Sequence, residues 1–385
     1  MLKRSVTTLP NCLAALLLLL LTSDLRAEDL GAVADQASTP EETSEARQAD
    51  GAVVGRSDVQ DDPWLNLPAT GSGIGDGRTV VFITAEEEYR TEESFPMLAR
   101  ILARNGFDCT VLFAVDRDNG TINPNQVDNI PGLEKLASAD LAVMALRWRM
   151  LPDDQMKHII DYTNSGKPIV SVRTNTHPFN YEERRPNSAR KSSQIAASTY
   201  EDVKDTPYRE YSWQDGETGG GWGRAVTGET WVRHYGKHAF ESTRAVPAYR
   251  ESDHPVLRGV TDVWGPSDVY GLELDIDTIE PLLIGLVVDG MHPNDPIRPD
   301  REATPVAWLK TYEGKTGNTT RVMATTMGAG QDFDNESLRR MVLNSVLYLL
   351  DLEVPKKLDV TPVDPYHGRP FGFNDHLIGR LPKDA

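Results

Sequence analysis

The chain has 385 residues, 39% of them hydrophobic and 25% charged, with a formal net charge of −18. That balance argues against nucleic acid and anionic membrane surfaces as partners, because both repel an acidic protein. The length is sufficient to bury a full core without disulfides.

At the N-terminus, Lys3 and Arg4 precede an apolar run of nine residues, 13–21, too short to span a bilayer. Leu25, Arg26 and Ala27 form an acceptable cleavage site. Residues 1–27 are therefore expected to be a secretory signal, giving a periplasmic or extracellular protein with no membrane span after cleavage. The other reading is an uncleaved anchor. Cleavage leaves Cys109 as the only cysteine, which excludes an intrachain disulfide and a cysteine-based zinc site. Cys109 alternates with apolar residues and reads as a buried structural thiol. Residues 28–72 hold ten acidic residues, two basic ones and no Phe or Tyr. The segment 28–74 is expected to be a disordered acidic linker, dispensable for folding.

From residue 79 the pattern alternates. Strands are expected at 79–84, 109–114, 141–146 and 168–172, and helices at 94–105, 133–137 and 152–165. This order predicts an α/β fold with a mainly parallel, doubly wound sheet and helices on both faces. Residues 180–250 are rich in Arg, Tyr, Trp, Gly and Ser, and read as an irregular insertion, which at this length is usually functional. Strands follow at 263–274 and 280–288, then a hairpin of 304–312 with 320–326 and an amphipathic helix at 335–351. The Pro-rich tail, 354–385, is expected to wrap the domain, which spans 75–353.

Several stretches resemble the ThuA-like (trehalose-utilisation) family. They are DLAVMALRWR at 140–149, GKPIVSVRTNTHPF at 166–179, DHPVLRG at 253–259, PVAW at 305–308, RVMATTMG at 321–328 and LRRMVLN at 338–344. EEEY at 86–89 and FGF at 371–373 resemble exported, planctomycete-type members. The resemblance implies a flavodoxin-like, class I glutamine-amidotransferase-like fold and a role in carbohydrate processing. In amidotransferases of that class a Cys sits at the elbow after a central strand and a His follows a late strand. Here the elbow falls on Arg173 or Thr174, where many ThuA-like proteins carry His-Ser, and the late position falls within 328–331. Without the Cys-His couple, glutamine hydrolysis is not expected.

The carboxyl ends of parallel strands are where ligands collect in such sheets. Arg147, Arg149, Arg173, Thr174 and His177 lie there. The arginines bind an anionic or hydroxyl-rich ligand, pair with Glu86, Glu87 or Glu88, or do both. His234 and His238 have i, i+4 spacing, but Gly236 between them argues against a helical metal pair, and no metal site is expected. A flexible lid or a close backbone approach is read at 219–223. Trp213, Trp222 and Trp231 either stack on sugar rings or form a small core. The expected catalytic residues are His234, His238, His177 and Glu88; the expected ligand contacts are Arg147, Arg173, Thr174 and Gln331. The ligand is expected to be a small carbohydrate. No cofactor is indicated. The protein is either a carbohydrate-active hydrolase or lyase, or a non-catalytic ligand-binding or scaffold protein.

Overall fold

The structure is a computed structural model that describes residues 62–182, 197–213, 219–250 and 252–385. The expected signal and residues 28–61 lie outside the described residues. No helix among the described residues is long and apolar enough to cross a membrane.

A mixed sheet of ten strands forms the centre. In chain order its strands are β1 (Leu65–Leu67), β2 (Thr79–Ala85), β3 (Asp108–Phe113), β4 (Leu141–Leu146), β5 (Ile169–Val172), β7 (Ser242–Pro247), β8 (Val263–Gly265), β10 (Ile279–Val288), β11 (Thr304–Glu313) and β12 (Thr319–Thr325). The spatial order is β1-β3-β2-β4-β5-β12-β11-β10-β7-β8. Only β3, β2, β4, β5 and β12 run parallel. Numbered along the chain, these five stand in the order 2-1-3-4-5, with the reversal at β2 and β4. A mainly parallel sheet is thus corrected to a half-parallel one. The later strands pair antiparallel, and a short turn, 314–318, joins β11 to β12 as a hairpin.

Side chains alternate across the sheet. Val80 and Phe82 face a core that includes Phe95 and Leu98 of helix α1 (Thr91–Arg104) and Leu338 and Met341 of helix α4 (Glu336–Leu349). Val81, Ile83 and Ala85 face a second core with Met156 and Ile159 of helix α2 (Asp153–Thr163). This period-two division explains why the central strands read as continuous apolar runs: both faces are covered. Cys109 is buried in β3, and burial pushes its thiol well above the usual range, as expected for a structural residue.

The sequence reading departs from the structure at three places. Leu65–Leu67, inside the expected linker, pairs antiparallel with β3. Trp64 stands under the Lys135 ammonium, 4.5 Å from its ring centroid, and Leu65 is buried. The acidic count hid three apolar residues that have an edge strand to pair with. Residues 263–274 are not one strand: β8 ends at Gly265, and β9 (Tyr270–Leu274) pairs with β6 (Glu229–His234) in a separate two-stranded sheet. Pro266 cannot donate to a ladder, so the chain turns there. The expected insertion is also not wholly irregular, since β7 lies in the main sheet and Ala197–Val203 is helical (α3).

Beyond α4 the chain crosses α1 and α4. Arg339 donates to the Val360 carbonyl at 3.1 Å, and Arg369 Nε donates to Glu93 at 2.8 Å.

Two predictions follow from these placements. A chain beginning at Gly75 will melt below one beginning at Asp62, and Leu65→Ala in the longer chain will cost about 2 kcal/mol in urea unfolding. Equal melting temperatures for the two lengths would mean that β1 adds nothing. The second concerns Glu229, whose carboxyl is fully buried and, among the described residues, has its hydrogen-bond contact with Thr227 Oγ1, at 3.1 Å. Burial pushes it up from 4.5 to about 8. The folded state holds this proton more tightly than the unfolded state, so stability falls as pH rises from 4.5 to about 8. Glu229→Gln will therefore raise the melting temperature by several degrees at pH 8 and by much less at pH 5; a pH-independent gain would contradict the assignment.

Candidate functional site

The site lies where β2, β4 and β5 leave the sheet. Each exit carries a non-glycine residue in the left-handed region: Arg90 (φ 62°), Trp148 (φ 44°) and Arg173 (φ 48°). Such conformations persist only when their surroundings enforce them. After β2, Glu86 enforces the turn. Its carboxylate accepts from the backbone N–H groups of Glu88 (2.8 Å), Tyr89 (2.6 Å) and Thr91 (2.9 Å), which starts α1 and fixes where Glu87 and Glu88 project.

Glu87 and Glu88 meet the arginines after β4. Arg147 lies 2.6 Å from Glu87 and 3.3 Å from Glu88, and Arg149 lies 2.5 Å from Glu87. Arg149 also donates to the carbonyls of Arg147, Pro124 and Gln126. All four side chains are buried. The ion network with Glu87 and Glu88 is thus present, and through it Arg147 and Arg149 hold the site together. Arg147 is kept charged against its burial by Glu87 and Glu88.

Arg173 takes the strained elbow position after β5, so the elbow falls on Arg173 rather than Thr174. Its guanidinium donates to the carbonyls of Asp268 (2.8 Å) and Thr326 (2.5 Å) and to the Asp268 carboxylate (3.0 Å). It also lies under Tyr270, 3.8 Å from that ring's centroid.

Asp268 is the residue that the sequence reading missed. Its carboxylate is fully buried and lies 2.8 Å from His234 Nδ1 and 3.0 Å from His238 Nδ1. The cause is local. The β6–β9 register sets His234 opposite Tyr270, and the following turn is clamped by Tyr235 and Gly236 N–H groups on the Val269 carbonyl. Gly236 lets that turn approach, since even a Cβ there would stand 3.2 Å from Asp268 Cβ. The turn thus does what a helix would otherwise do, and the two imidazole centroids come within 4.4 Å. Asp332 fixes the other side: it accepts from Ser267 N–H (3.0 Å) and hydroxyl (2.5 Å) and from Gly328 and Ala329 N–H groups. The available signal was the Gly265, Pro266, Ser267, Asp268 run, which is turn-forming rather than strand-forming.

His238 Nε2 also lies 3.2 Å from Glu88. Burial opposes the charged ring, but the hydrogen bonds to Asp268 and Glu88 outweigh it and push His238 up to about 9. Asp268 is held well below the usual carboxylate range: burial raises it, but His234, His238 and Arg173 lower it further. Both imidazoles are about 30% exposed, so the cluster has one open side.

Aromatic rings surround that opening. Trp231 lies 5.7 Å from His234, 5.9 Å from Trp148 and 6.0 Å from Trp213. Phe371, from the tail, lies 5.2 Å from His238 and 5.5 Å from Tyr89. Phe373 packs on the Arg147 guanidinium at 5.2 Å. The main-chain bond from Gly372 N–H to the Glu88 carbonyl, 2.7 Å, seats this part of the tail.

Glu88, Arg147, Arg173, His234 and His238 therefore converge. The other expected residues take different places. His177 is buried and belongs to the wall, not the charged cluster; its Nδ1 meets Thr176 Oγ1 at 2.7 Å, and burial followed by the Arg147 charge holds it well below its ordinary value. Thr174 is fully buried beneath the elbow and does not reach the open side. Gln331 sits in the turn Gly330–Asp334, its backbone covered by Gly368, and takes no part in the hydrogen bonds that build the cluster. The glycine run is a close backbone approach rather than a lid, because side chains at Gly221 and Gly223 would collide with the carbonyls of Ser212 and Thr176. Of the three tryptophans, Trp222 joins the core against Phe179, while Trp213 and Trp231 stay at the site. Among the described residues, His234, His238 and Asp268 are also a group able to hold a metal ion.

No protein-family model and no curated protein matches the chain. Solved structures similar to it include a protein from Parabacteroides merdae described as ThuA-like, at 15% identity and a TM-score of 0.41, covering 77% of this chain and 97% of that one. A second is the exo-beta-1,4-mannosidase Op5Man5 from Opitutaceae bacterium strain TAV5, at 8% identity and a TM-score of 0.31, covering 72% of this chain and 36% of the mannosidase. A third is the mmIFT52 N-terminal domain, at 13% identity and a TM-score of 0.33, covering 71% of this chain and 97% of that one.

Asp268→Asn tests the buried pairing. Removing the charge leaves Arg173 buried without its counter-ion, and the cost will be about 3 kcal/mol or more in urea unfolding. His234→Ala, which removes a half-exposed ring, will cost well under half of that. Equal losses would show that Arg173 does not depend on Asp268.

Proposed function

We propose that this chain is an exported ThuA-like protein, on a flavodoxin-like, amidotransferase-like sheet, that takes a carbohydrate or sugar derivative in the crevice above β2, β4 and β5. The observation that carries this reading is the composition of the opening. Two imidazoles about 30% exposed, backed by the buried Asp268 and Glu88, stand beside the part-exposed rings of Trp213, Trp231 and Phe371, while Trp148 and Tyr270, which pack on Trp231, are buried. Aromatic faces suit the apolar C–H faces of a sugar ring, and a few buried, oriented polar groups suit its hydroxyls. The strand order 2-1-3-4-5 supports the flavodoxin-like reading, since ligands in that order bind where it reverses.

His234 and His238 are the reacting groups of this reading. Glutamine hydrolysis is not part of it: Arg173 stands at the elbow, and Cys109 is buried in β3.

Binding can be followed by calorimetry or tryptophan fluorescence across mono- and disaccharides and their 3-keto derivatives. One class will bind saturably, and Trp231→Ala will weaken it about tenfold or more, while His292→Ala, at an exposed position elsewhere, will not. For any sugar turned over, His234→Ala will lower kcat about a hundredfold. Saturable binding with no turnover favours the non-catalytic alternative; ammonia released from glutamine, or no sugar bound at all, overturns the proposal.

A further inference from the structure

We infer that the crevice holds one first-row divalent metal ion, ligated by His234, His238 and Asp268, with Glu88 as the partner that orients His238. The inference rests on the same crevice as the reading above and deepens it, with the two histidines acting through the ion instead of as acid and base, but it does not depend on a sugar being the ligand.

Donor separation is the first ground. One ligand atom from each residue can be chosen so that all lie within 4.8 Å of one another. The closest approaches, 2.8 Å for His234 Nδ1 and 3.0 Å for His238 Nδ1 to the Asp268 oxygens, are hydrogen-bond distances that need open only to about 3.3–3.6 Å to take a tetrahedral ion at about 2.0–2.2 Å. The second ground is the outer shell. Metal-bound imidazoles usually donate their other N–H to a carboxylate, which fixes the ring. His238 Nε2 has that partner in the buried Glu88, at 3.2 Å. Asp268 has its own supports in Arg173, at 3.0 Å, and in Ser267, which Asp332 holds.

Ligand chemistry sets the class of ion. Two imidazoles with one carboxylate favour zinc, iron(II), cobalt, nickel or manganese over calcium or magnesium, which prefer oxygen. Asp268 is fully buried while both imidazoles are about 30% exposed, so the site has three protein ligands and an open side. An open position belongs to catalytic rather than structural sites. In this crevice it would grip a carbonyl or hydroxyl oxygen of the sugar.

The test is zinc binding by the full purified chain after chelator treatment, read by calorimetry and by the melting temperature, with no sugar present. One Zn2+ per chain is expected, with a rise in melting temperature. Co2+ in its place should give visible absorption bands of a nitrogen- and oxygen-ligated site. His234→Ala and His238→Ala will each weaken zinc binding about tenfold or more, and Glu88→Gln about tenfold through the outer shell. Both histidines are half-exposed, so these variants should keep the parent's circular dichroism, and His292→Ala should keep the parent's affinity. Failure to take up zinc, cobalt or manganese stoichiometrically overturns the inference, as does uptake unchanged in the double histidine variant. Sugar binding by the stripped chain would persist in that case, leaving the carbohydrate reading standing. Zinc bound without any sugar response would do the reverse.

Discussion

The site depends on one buried carboxylate. Asp268 accepts from Arg173 and lies against both His234 and His238, although it sits in a turn between two short strands and not in the main sheet. A charge without solvent is costly unless it is paired and hydrogen-bonded. Here the pairing comes from two chain segments that are far apart in sequence: the elbow after β5, and the end of β6 with the turn that follows it. The same guanidinium reaches the Thr326 carbonyl after β12, so the late strand is tied to the same point. The small β6–β9 sheet is therefore docked on the large sheet through an ion pair as well as by apolar contact.

Backbone strain and electrostatics coincide. The chain leaves β4 at Trp148 and β5 at Arg173 with positive φ, and enters α1 at Arg90 in the same region. The ion pairs hold the bends in place: Arg147 and Arg149 on Glu87 flank Trp148, and Arg173 on Asp268 fixes the elbow. In hydrolases the elbow presents a nucleophile. In this chain it presents Arg173, buried against Asp268, and the part-exposed ionisable groups are the two histidines.

The tail completes the wall. Phe371 and Phe373 reach His238 and Arg147 from the far end of the sequence, seated by the Gly372 backbone on Glu88 and by Arg90 on the Gly372 carbonyl. Segments from both ends of the domain thus meet over the same carboxylates. A change in the tail can alter the site without touching any of its ionisable groups.

Periodicity and composition by themselves determined the central strands, α1, α2, α4 and the late hairpin, because each buries apolar residues at a local spacing that the sequence displays. They also placed Glu88, Arg147 and Arg173 at strand ends, and His234 and His238 in the insertion. Tertiary structure alone decided what these groups do. Whether Arg147 faces a ligand or Glu87, and whether His238 stands alone or between two carboxylates, depends on partners dozens of residues away. Asp268 shows the limit most clearly. Its neighbours Pro266 and Ser267 announce a turn, but nothing local says that the turn will face two imidazoles. That follows from the β6–β9 register and from a glycine small enough to let the backbone pass, and burial then turns an ordinary aspartate into the charge on which the site is built.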